Sequence, residues 1–146
     1  MMKEQVLNVL KMLGFQVEEI DDFGYGFLYE GINFLYMPND EDEEFLSISI
    51  PAVLEVNEEN KEAVYLLMDK INLTRKYVKA NMLADSMWLF YERELIGGED
   101  MEKLVSRMIF HLETAIQFFY KQMAMAGEEF VSDDDDDDEE DTEDVA

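Results

Sequence analysis

The sequence contains no cysteine. Disulfides, thiolate zinc sites and a cysteine nucleophile are excluded, and the redox compartment is left open. Its single histidine, His111, excludes a multi-histidine metal cage and a histidine pair. Positive charge is also scarce: 11 Lys and Arg stand against 36 Asp and Glu, a formal net charge of −25. No basic stripe could track a phosphate backbone, and an acidic surface repels nucleic acid and anionic membranes alike. No apolar run reaches the roughly 20 residues of a membrane span. The opening residues Met1-Met2-Lys3-Glu4-Gln5 lack the pattern of a signal peptide. The expectation is a cytoplasmic protein that binds neither nucleic acid nor membrane.

The 146 residues present suffice for one domain with a real core. Residues 131–146 hold eleven acids and no base, so residues 1–130 carry −25 + 11 = −14. The aspartate run Asp133 to Asp138 has too little apolar surface to offset its ordering entropy. The expected organisation is a single α+β domain over 1–127 and a disordered acidic tail over 128–146.

Within the domain, Val6, Leu10 and Leu13 recur at helical spacing and Gly14 stands where a left-handed residue would end the helix. From Phe15 the period becomes two. Tyr25, Phe27 and Tyr29 alternate with smaller or polar residues, Ile32, Phe34 and Tyr36 continue, and Leu46, Ile48 and Ile50 oppose Ser47 and Ser49 in a strand that Pro51 is expected to end. Asn57 is suited to cap a second helix whose core stripe is Val64, Leu67, Met68 and Ile71. A hairpin follows, Val78–Met82 and Met87–Tyr91 about Ala84-Asp85-Ser86. Past Gly97-Gly98, the apolar stripe Met101, Leu104, Val105, Met108, Leu112, Ala115, Ile116, Phe119 and Met123 predicts a long helix, which Gly127 is expected to close. The order is α-β-β-β(β)-α-β-β-α. Connections this short make antiparallel neighbours, so the predicted fold is a twisted antiparallel sheet of about five to six strands with helices on one face.

Chemistry-bearing patterns are weak. Asp40-Glu41-Asp42-Glu43-Glu44 lacks the glycine of a calcium loop and joins strands, which makes it a solvated loop. Gly24-Tyr25-Gly26 lies between strands and is no phosphate loop. His111 sits at the edge of the last helical stripe. Neither Ser106 nor Glu113 is excluded as its partner, yet nothing marks them as a catalytic set. More informative are apolar residues off the core stripes. Leu66 and Leu73 lie opposite Val64, Leu67 and Ile71, and Phe110 projects among Lys103, Gln117 and Lys121. They mark either a subunit interface or a simple buried flank.

The segments Ile71-Asn72-Leu73-Thr74, Tyr77-Val78-Lys79-Ala80-Asn81-Met82 and Trp88-Leu89-Phe90-Tyr91-Glu92-Arg93-Glu94-Leu95 resemble the YbjN-like family of small bacterial proteins. So do Phe45 to Pro51 and the helix Met101 to Met123 with its Phe118-Phe119-Tyr120 end. The resemblance covers about residues 1–126. It implies a fold like that of type III secretion chaperones, often homodimeric, with sensory or stress regulation as the suggested role. It supplies no catalytic residues and no cofactor. The expected function is therefore that of a non-enzymatic protein-binding domain, chaperone- or adaptor-like or regulatory, acting as a homodimer through Leu66, Leu73 and Phe110. Its partner would be a protein or peptide. Alternatives are a small carboxylate-dependent enzyme or small-molecule-binding protein, and an acidic tail that binds cations or a basic partner.

Overall fold

The computed structural model describes residues 2–134, with side chains through residue 126. Most of the expected acidic tail lies outside the described residues. The elements run α1 (Met2–Met12), β1 (Glu18–Ile20), β2 (Gly24–Tyr29), β3 (Ile32–Tyr36), β4 (Phe45–Glu55), α2 (Lys61–Thr74), β5 (Val78–Leu83), β6 (Ser86–Glu94) and α3 (Met101–Asp134). The fold is α+β in the predicted order. Its six strands form one open antiparallel sheet in the order β1-β2-β3-β4-β6-β5.

Local chemistry explains most boundaries. Gly14 adopts φ +96°, its N–H donates to the Lys11 carbonyl, and the Phe15 N–H donates to Leu10, the paired bonds of a Schellman stop. At α2, the Asn57 side-chain oxygen accepts the N–H groups of Glu59 and Asn60, and Asn60 Oδ1 accepts the Asn57 N–H in return. This reciprocal box closes the turn before α2; the helix itself is capped by Asn60 without a side-chain hydrogen bond, so the cap expected at Asn57 falls three residues early. Two stops expected from the sequence do not occur. β4 passes through Pro51 to Glu55, with a register shift between Ile50 and Leu54 and Ala52 at φ +46°. On its other side, β3 pairs with β4 at Ser49 and Ile48, so Pro51 lies beyond that ladder and its missing N–H is accommodated at a bulge. Likewise α3 continues past Gly127. A glycine costs a helix interior only about 1 kcal/mol relative to alanine, too little to end a long helix unaided.

One sheet face and the helices make the core. Phe27, Phe34, Tyr36, Leu46, Ile48, Ile50, Val78, Ala80, Met87, Leu89 and Tyr91 meet Val6 and Leu10 of α1, Val64 and Ile71 of α2, and the buried stripe of α3. At the far edge, Asn72 binds β5 as a neighbouring strand would: its Oδ1 accepts the Ala80 N–H at 2.7 Å and its Nδ2 donates to the Ala80 carbonyl at 3.2 Å. The amide satisfies an edge-strand residue that solvent or another chain would otherwise claim. Asn72→Ala is expected to cost about 1–3 kcal/mol in urea unfolding. A change indistinguishable from zero would show that water replaces both bonds.

Candidate functional site

Among the described residues no helix covers the second face of the sheet, yet this face is far from polar. Alternation sends Gly26 and Leu28 of β2, Asn33 and Leu35 of β3, Ser47 and Ser49 of β4, and Trp88 and Phe90 of β6 to this side. Leu35 is only 3% exposed although it stands outside the helix-covered core. The Trp88 and Phe90 rings stack at 5.7 Å and 12°. Beside them, Ser47 Oγ donates to Glu92 Oε2, and Lys79 lies 3.3 Å from Glu92 Oε1. That ion pair forms the polar border of the face toward β5.

Toward β1 the face sinks into a trough of about 600 Å³. Position 26 brings no side chain of its own to the floor. Glu18 pairs with Gly26, which pairs with Leu35, so a glycine separates two side chains across the floor. A Cβ at Gly26 would lie 2.9 Å from Ile20 Cδ1, because Ile20 leans over the glycine. Phe23, Leu28, Leu35, Pro51 and Trp88 extend the apolar wall, and Gln16, Glu18 and Asn33 supply the polar groups. The signal for this face was present in the apolar run Met87–Tyr91, since a strand apolar at consecutive positions offers apolar side chains to both faces.

The residues singled out from the sequence fall elsewhere. Leu66 and Leu73 lie along the outer side of α2, 72% and 82% exposed, so they are not a buried flank of this chain. Phe110 is 48% exposed and lies under the Arg107 guanidinium at 5.2 Å. It borders a groove with Leu13, Phe15 and Tyr29 instead of joining the α2 leucines. His111 packs against the rings of Tyr77, Tyr91 and Phe110 and has no side-chain hydrogen bond to Ser106 or Glu113. The buried Ser49 hydroxyl has no hydrogen-bond partner among the described residues and stands on the opposite side of the sheet from His111. Tyr36 is pushed up to about 12, first by burial and then by Tyr25 and Asp40, so its phenol stays neutral.

A second cavity of about 600 Å³ gathers Glu43, Glu44, Glu94 and Glu99. Glu99 is held below its ordinary value, first by the Ile96 N–H, with the Gly97 N–H and Arg93 adding to the effect. That direction is opposite to what a general acid needs. Among the described residues no three His, Asp or Glu side chains are grouped to hold a metal ion, and no helix is long and apolar enough to cross a membrane.

With this geometry in place, residues 3–124 match the YbjN family model, described as a "putative bacterial sensory transduction regulator". The chain belongs to the YbjN family. No curated protein matches it. In this YbjN domain His111 is a packing residue, and its titration follows from its neighbours. Burial lowers it from its ordinary 6.5, and the positive charges of Arg107 and Lys76 lower it further. The unfolded chain then binds more protons at this histidine than the folded one, so the histidine subtracts stability as pH falls below its ordinary 6.5. Unfolding midpoints measured from about pH 5 to 8 should drop more steeply on acidification in the wild type than in His111→Gln. Parallel curves would overturn this account.

Proposed function

We propose that this chain is a non-enzymatic cytoplasmic regulator that acts by binding protein, its first partner being a second copy docked along the outer face of α2. The observation that carries this reading is the pair Leu66 and Leu73, two helical turns apart and mostly solvent-exposed, opposite a stripe whose Val64 and Ile71 are fully buried. The family description as a regulator supports it. The carboxylate-enzyme alternative needs two acids converging in an apolar pocket, whereas the apolar trough is lined by one, Glu18.

Magnitudes set the expected affinity. In an isologous contact four leucines would be covered, contributing about 6–12 kcal/mol at 1.5–3 kcal/mol each. Association costs about 4–15 kcal/mol before any other contact forms. The balance favours a dimer in the micromolar range or weaker. Each domain also brings −14 over residues 1–130, so added salt should strengthen the dimer by screening the repulsion.

Light scattering at high micromolar concentration should therefore report a dimer that tightens with salt. Leu66→Glu combined with Leu73→Glu should dissociate it with little change in unfolding midpoint, since both side chains are exposed. A wild-type monomer under these conditions would remove the dimer from the reading.

A further inference from the structure

We infer that the trough over Gly26 is a binding site for a small, largely apolar or aromatic molecule that carries a basic amine. Four observations converge on this ligand class. The cavity of about 600 Å³ is within the usual 300–1,000 Å³ of small-molecule sites. Its walls are largely apolar, with Ile20, Leu28 and the Trp88 indole among the residues that line it. Its lining has one charged side chain, the Glu18 carboxylate, and no Lys, Arg or His, so a cation is complemented and an anion is not. Gln16 and Asn33, on either side of β2, have no side-chain hydrogen bond within the described structure and can donate or accept.

The cavity also has a built-in way of being closed. Gly26 has no positive φ, so a side chain there is not opposed by the backbone, and the atom it would meet is the flexible end of Ile20. A β-branched residue at this position suits a strand and fills the floor.

Trp88, the only tryptophan, stands in the wall and reports occupancy directly. The full chain is titrated with three probes of one shape: 4-phenylbutylamine, 4-phenylbutanol and 4-phenylbutyrate. Saturable changes in Trp88 emission are expected for the amine and the alcohol, with the amine tightest and the carboxylate weakest. Glu18→Gln should reduce the amine-over-carboxylate preference roughly two- to fivefold, as for a partly exposed ion pair, and leave the alcohol unchanged. Gly26→Val should weaken the amine and the alcohol at least tenfold. Should it fold poorly, Glu18→Gln, an exposed substitution, carries the test.

The inference does not rest on the α2 dimer, so Leu66→Glu with Leu73→Glu should leave the titrations as they are. Three results would overturn it. One is no saturable response to any probe. Another is amine binding that Glu18→Gln leaves intact, which would mean general attraction to an acidic chain. The third is a wild-type dimer that Gly26→Val dissociates, which would place a second copy over the trough.

Discussion

Burial of the α3 stripe against the two central strands is the constraint from which the rest of the arrangement follows. Val105, Met108, Leu112, Ala115, Ile116 and Phe119 are fully or almost fully buried. The strands beneath them, β4 and β6, share eight register pairs, the longest ladder in the sheet. At about 0.8 kcal/mol per buried methylene, a continuous stripe of this length outweighs any single cap or ion pair in the molecule. Once α3 lies across this pair, α2 is placed over β5 beyond it and α1 closes the other flank through Val6 and Leu10. All three helices are thereby committed to one side, and the reverse face is left to cover itself.

That second face is where physical chemistry and function meet. An exposed sheet face of an antiparallel fold is normally polar. Here Leu35 is buried with no helix of the described residues over it, Trp88 stacks on Phe90, and Gly26 leaves the floor between β1 and β3 without a side chain of its own. Such a surface is not required by the core, because none of these residues belongs to the helix-packed cluster.

Much of this was legible in the sequence, for identifiable reasons. The α3 stripe repeats at 3.6 residues and has one solution, and Gly14 with Phe15 stops α1 by a local hydrogen-bond pattern that needs nothing distant. Pro51 and Gly127 were misleading because their effect depends on surroundings. A proline ends a strand only if its absent N–H was needed, and β3 does not reach that far along β4. The trough was harder to see. It depends on registry, with Glu18, Gly26 and Leu35 side by side across three strands, and registry is a property of the assembled sheet. Leu66 and Leu73 were readable as off-stripe, but their exposure was not, since a helix covered on two sides has the same periodicity.

The shortest register in the sheet lies next to the trough. β3 and β4 share two register pairs, Leu35 with Ser49 and Tyr36 with Ile48, plus the bond from the Met37 N–H to the Ser47 carbonyl. The β1–β3 meander therefore hangs on the central strands by a short seam. Leu35 stands on the meander side of that seam, and Pro51 and Trp88 stand beyond it, yet all three line the same cavity. A molecule seated there would contact both sides of this short seam at once and add its binding energy to it. The leucine face of α2 lies at the opposite end of the sheet, tied to β5 through Asn72 and Ala80. Coupling between trough and leucine face would have to pass through β4 and β6, the pair that α3 holds most firmly. The meander meets this centre through the two β3–β4 register pairs, so occupancy of the trough would act first on that seam.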